Sequence, residues 1–145
     1  APPPVAKPSG SWLVDKQAPT PGVQLGRKRF ESYCAACHQR GGTGIKDQVP
    51  PLTGSPWVAG SETRLVRIVL HGLRGPIEIQ GKTYNLEMPT FHLFTDAEIA
   101  SVLSFVRGQY GRPSPPVTEA TVSRIRAATR DRTTYWTVDE LLEVP

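Results

Sequence analysis

Apolar and polar positions alternate along this chain with helical spacing over several separated stretches. From Gly22 to about Ala36, the residues Gly26, Phe30, Tyr33 and Cys37 recur at intervals of four, three and four, which predicts one buried helical stripe. Arg27, Lys28 and Glu31 fall on the other side. Glycine on a buried stripe sacrifices helix propensity, so Gly26 is expected to admit the close approach of another helix. A second helix is expected from the N-cap Ser61 to about His71, with Leu65, Ile68, Val69 and Gly72 inward, Arg64 and Arg67 outward, and Gly72 as its stop. Thr95-Asp96-Ala97-Glu98 is a capping box opening a third helix to about Val106, which Gly108 and Gly111 terminate. Residues 118 to 130 are expected to form a further helix with Val122, Ile125 and Ala128 or Thr129 on one side. Thr137-Val138-Asp139-Glu140 is a second capping box, before a short terminal helix through Leu141 and Leu142.

Between the second and third helices the period changes. Ile77-Glu78-Ile79-Gln80 alternates as a strand does, Gly81-Lys82 can turn, and Thr83-Tyr84-Asn85 can return, so a small hairpin is expected just before Met88. Gly41-Gly42-Thr43-Gly44 reads as loop. A phosphate cradle is excluded there, because no Lys-Ser pair or helix follows it. The predicted fold class is therefore all-α with one small hairpin.

Composition narrows this picture. The chain has 145 residues, 38% of them apolar, and 15 prolines, which suits one domain with appendages. Six of the prolines stand in residues 1–21, which read as a proline-rich arm, either a tether or, the reading preferred, a segment lying across the domain with Trp12-Leu13-Val14 as its adhesive spot. The expected organisation is this arm at 1–21, a domain at 22–111 and a C-terminal extension at 112–145. No apolar run is long enough for a membrane-spanning helix. The start at Ala1, without an initiator methionine or an apolar leader, leads us to expect an exported, periplasmic protein whose signal peptide has been removed. The net charge of +4 and pI of about 9.3 are too mild for a nucleic-acid binder, and the basic residues are dispersed.

The chemistry concentrates in Cys34-Ala35-Ala36-Cys37-His38. Cys-x-x-Cys-His is the spacing for covalent attachment of haem through two thioethers, with the histidine as an iron ligand. On a helical turn the two sulfurs share a face, and the next residue turns its imidazole toward a metal held between them. A dithiol redox motif would open a helix after a strand, whereas this one follows a helical stretch. Zinc would require a second ligand pair that the sequence lacks, and a Cys34–Cys37 disulfide would close too small a ring to stabilise much. Pro50-Pro51-Leu52 is extended by necessity, and its carbonyls are free to accept a bond from the ligating histidine. Met88, the sole methionine, precedes Pro89 and suits the second axial position, where a thioether raises the reduction potential. His71 and His92 are the rival ligands. Trp57 is read as core packing.

With the haem motif, Pro50-x-Leu52, Met88-Pro89 and a helix on each side in view, the stretch from Gly22 to Gly111 resembles the class I c-type cytochromes. The resemblance implies a cytochrome c fold around one covalent haem c. It further implies that Cys34 and Cys37 carry the thioethers, that His38 and Met88 are axial, and that the Pro50 carbonyl accepts a bond from His38. Gly26 and Phe30 would cross the last helix of the domain at Val102 and Phe105. Arg74 and Tyr84 become candidates for contact with the propionates. The expected function is electron transfer, not catalysis, with electrons accepted from a dehydrogenase and passed to an oxidase or another cytochrome. The alternatives are a haem enzyme or gas sensor with a labile Met88, and a module of a larger fused oxidoreductase.

Overall fold

The computed structural model describes residues 21–145. Of the arm expected over 1–21, only Pro21 falls within them, and it opens a helix. That helix, α1 (Pro21–Tyr33), begins with a residue that has no N–H to leave unpaired at a helix start. It packs across α5 (Asp96–Tyr110) in the most extensive helix pairing of the molecule. At the crossing, a Cβ on Gly26 would stand 2.1 Å from the Ser101 carbonyl oxygen and 3.0 Å from Phe105 Cβ. The backbones meet at a distance only glycine allows, as its place on the stripe predicts. Phe30 is buried there, with its ring centroid 5.5 Å from those of both Phe105 and Tyr110.

The predicted stripe is too long at its C-terminal end. Tyr33 is 57% exposed and Cys37 is exposed, because the helix breaks at Cys34 and a short α2 (Ala35–His38) starts from there. Beyond it, α3 (Pro56–Ala59) is capped by Ser55, and α4 (Glu62–His71) by Ser61, whose hydroxyl accepts from the Arg64 amide. Gly72 ends α4 at a φ of 80°, as expected. The apolar face of α4 is wider than predicted, since Val66 and Leu70 are buried beside Leu65, Ile68 and Val69. The reason is tertiary: α6 (Glu119–Ala128) covers the second side of α4 with Val122 and Ile125.

The hairpin forms as expected, β2 (Ile77–Ile79) pairing antiparallel with β3 (Lys82–Tyr84). Its turn residues Gln80 and Gly81 both have positive φ, the geometry whose twist suits a two-residue hairpin. Outside it lies a pair the sequence does not announce, β1 (Leu73–Arg74) against β4 (Glu87–Met88), with Leu73 opposite Met88. Two residues per strand are too few to display a period.

The capping boxes at Thr95 and Thr137 are both present. Helix α5, however, runs past Val106 and through Gly108 to Tyr110. Its last turn is held by tertiary bonds: Arg107 Nη1 donates to the Gly60 carbonyl at 2.7 Å, and the Tyr110 hydroxyl to that of Arg40 at 2.5 Å. These offset the cost of about 1 kcal/mol for glycine inside a helix. After α5, residues 112–145 fold back and carry α6 and α7 (Val138–Leu142). Val117, Val122 and Ile125 join the core between α4 and α5, while Trp136 and Leu141 join the core of Ile68, Leu73 and Ile77. Among the described residues no helix is long and apolar enough to cross a membrane.

Candidate functional site

The motif residues are presented by the break between α1 and α2. Cys34 ends the first helix and the His38 amide bonds to the Cys34 carbonyl at 2.9 Å, so the motif forms one tight turn. The glycine loop then returns the chain onto it. The Gly44 amide donates to the His38 carbonyl at 3.0 Å, and the Leu52 amide to that of Gly42 at 2.7 Å. Gly44 has a φ of +71°, and a Cβ there would lie 2.2 Å from the Val49 carbonyl oxygen. Glycine is thus required for the segment 49–50 to lie against the motif.

The consequence is a defined imidazole. His38 Nδ1 lies 3.3 Å from the Pro50 carbonyl oxygen. A carbonyl only accepts, so Nδ1 carries the proton and Nε2 keeps its lone pair. Burial lowers the pKa of His38, against a smaller opposing effect of the Pro50 bond, and the ring is neutral at pH 7. Burial, with Cys37 adding to it, pushes the Cys34 thiol up to about 11.

Cys34 and His38 open into a half-open cleft between the helices and the hairpin. Pro50, Leu52 and Met88 line the same cleft, and so does Trp57. Apart from Ser55, the remaining walls are apolar, among them Phe30 of α1, Leu65, Ile68 and Val69 of α4, Leu73 of β1, Ile77 of β2, and Val102, Leu103 and Val106 of α5. Met88 sits in β4, partly buried between two clusters of core residues. Trp57 combines the packing role expected of it with a place on the cleft wall, under the Arg64 guanidinium at 6.0 Å. Its position straight after the Ser55-Pro56 helix start is the signal that could have placed it there.

The rival histidines go elsewhere. His71 accepts from Trp136 Nε1 at 3.4 Å and lines a separate cavity with His92 and three arginines. His92 is exposed, its Nδ1 2.7 Å from Thr90 Oγ1. Of the propionate candidates, Arg74 is paired with Glu87 at 3.3 Å, and Tyr84 is buried beside a neighbouring cavity that also holds Lys46 and Lys82.

Among the described residues no three His, Cys, Asp or Glu side chains converge as a metal cage would require. What the cleft offers is one neutral imidazole, one thioether, the Cys34 thiol and an apolar slot, with the Cys37 thiol exposed on the same turn. That donor set fits a flat organic group carrying its own equatorial ligands, with the protein supplying axial donors and two covalent anchors.

Comparison with known proteins agrees with this chemistry. Residues 21–106 match the family model described as cytochrome c oxidase, cbb3-type, subunit III. Cytochrome c-552 of Thermus thermophilus is 37% identical over 116 residues, covering 72% of this chain and 77% of that protein. The cytochrome c subunit of gluconate 2-dehydrogenase from Pantoea cypripedii is 34% identical over 91 residues, 61% of this chain but 20% of the larger relative. The cytochrome c subunit of a quinone alcohol dehydrogenase from Gluconobacter oxydans is 35% identical over 98 residues, 66% of this chain and 20% of that one.

Proposed function

We infer, from the premise that this chain belongs to the class I c-type cytochromes, that Cys34, Cys37, His38 and Met88 hold its haem and that a dehydrogenase supplies its electrons. The protein binds one haem c covalently and transfers electrons; it does not turn over a substrate. When bound, the haem supplies an iron that cycles between Fe(III) and Fe(II), one electron at a time.

Each side chain has a distinct task in this reading. Cys34 and Cys37 anchor the group so that it stays attached in both oxidation states. His38 offers the Nε2 lone pair, and the Pro50 carbonyl fixes both its tautomer and the ring direction. Met88 offers a soft thioether that favours the reduced ion and raises the potential. Leu52 and the apolar walls exclude water, so little solvent has to reorganise when the charge changes. His38 and Met88 would together hold the group from both sides and leave no coordination site for a substrate.

The observation that carries this reading is the sorting of donors: His38 and Met88 line one apolar cleft, while His71 and His92 line another cavity altogether. Residues 22–111 are then the haem-binding unit, and 112–145 an extension packed onto it. The dehydrogenase as electron source is supported by the relatives named as cytochrome subunits of such enzymes, and the periplasm as location by the likeness to c-type cytochromes.

The test is Met88→Ala in the haem-loaded protein. The variant should lose the weak far-red band that sulfur ligation gives the oxidised form, bind carbon monoxide readily when reduced, and show a lower reduction potential. Spectra identical to those of the unaltered protein would move the ligand to another residue.

A further inference from the structure

We propose that the C-terminal extension is a brace for the methionine ligand, and that Arg126 on α6 is the residue that positions it. The proposal rests on Met88 being the axial donor and concerns what keeps it in place. A thioether is a weak ligand for oxidised iron, so its occupancy depends on how firmly the backbone holds it close.

Met88 is followed by a stretch with no regular structure, Pro89–Phe94, leading to the N-cap Thr95. Such a segment would ordinarily be mobile. Here the guanidinium of Arg126 closes on it with three donors: Nη1 to the His92 carbonyl at 2.9 Å, Nη2 to that of Phe94 at 2.6 Å, and Nε to Asp96 Oδ1 at 2.8 Å. The fork therefore ties the end of the ligand loop to the first turn of α5 and to α6 at once. Lysine could not reproduce this, since it lacks the planar array of donors.

The other end of the loop is held by the same extension. β4 pairs with β1, and β1 is in turn bonded to the tail: the Arg74 amide donates to the Trp136 carbonyl at 2.8 Å, and the Trp136 amide to that of Gly72 at 3.0 Å. Trp136 is clamped by Arg132, whose guanidinium lies 3.5 Å from the ring centroid, and by Arg67 of α4 at 5.9 Å. Gly72 completes the contact, because a Cβ there would lie 2.5 Å both from the Met88 carbonyl oxygen and from the Tyr135 ring. Strand, ligand loop and tail are thus packed in direct succession, with Met88 between two points of attachment.

The haem-loaded protein, its Arg126→Ala and Arg126→Lys variants and Met88→Ala are compared by the far-red sulfur band and by the affinity of the oxidised form for imidazole. Arg126→Ala should weaken the band and bind imidazole at least about tenfold more tightly, with Arg126→Lys close to it. Imidazole affinity and band intensity unchanged in Arg126→Ala would overturn the brace. Met88→Ala separates the two readings: if it leaves the wild-type band and affinity intact, the ligand assignment fails, and the brace with it. Should Arg126→Ala not fold, hydrogen exchange on the unaltered holoprotein decides. The Phe91 and Trp136 amides, both hydrogen-bonded across elements, should exchange through one shared opening. Phe91 remaining protected while Trp136 exchanges would overturn the proposal.

Discussion

At position 26 the absence of one methyl group determines how two helices cross. Because the neighbour of Gly26 is a backbone carbonyl and not a flexible side chain, the clash in Gly26→Ala cannot be relieved by a rotamer change. The substitution should cost on the order of 3 kcal/mol, read as a lower denaturant midpoint of the holoprotein. The sequence makes this glycine conspicuous, since it interrupts an otherwise apolar stripe, and it does the same for the haem motif and Met88-Pro89. Other residues are not legible in that way. Arg126 and Trp136 differ in nothing local from any other arginine or tryptophan; their importance arises from partners 32 and 62 positions away, at Phe94 and Arg74 respectively.

Among the elements, those with chemical end signals can be read directly. Thr95, Thr137 and Ser61 cap helices because their hydroxyls accept from amides that would otherwise lack partners. Thr95→Ala should cost about 1 kcal/mol, seen as a midpoint shift at constant slope. Ends without such a signal are misread. Gly108 looks like a stop, yet Arg107 and Tyr110 carry α5 past it. The tail elements make a further prediction about pH. Arg132 bonded to Glu140 holds that carboxyl below its usual range, so its contribution is present above the unfolded value and is lost on acidification. Burial, with Arg132, His92 and Arg126 nearby, lowers the pKa of His71 below 6.5, so the folded state prefers the neutral ring that Trp136 requires as an acceptor. In the window below that value the unfolded chain binds more protons, and stability falls with pH. Both effects have the same sign. The melting temperature should begin to fall as pH drops below 6.5 and fall further below 4.5, with the tryptophan signal changing first.

For the molecule as a whole, a haem in the proposed cleft would be part of the core. Phe30, Leu65, Ile68, Val69, Val102 and Leu103 are buried in the fold and also line the cleft. A flat group held between them would extend their apolar contacts across the cleft. A preparation from cells that cannot attach haem should therefore show weakened or no cooperative melting, and a melt equal to that of the holoprotein would contradict this. The fold class could be foreseen because α1 and α5 carry local patterns strong enough to survive without context. The covering of α4 by α6 could not, since it depends on α4 having a second apolar side.

The sequence alone determined the chemistry: which atoms could anchor and ligate a haem, where the capped helices begin, and where a glycine was required. Those properties belong to residue types and short spacings, and they hold wherever the segment is placed. Only the tertiary structure decided which donors share a cleft, why His71 and His92 are not among them, and what holds the Met88 strand in place. These depend on contacts between distant parts of the chain, and no local pattern encodes a contact whose partner lies dozens of residues away.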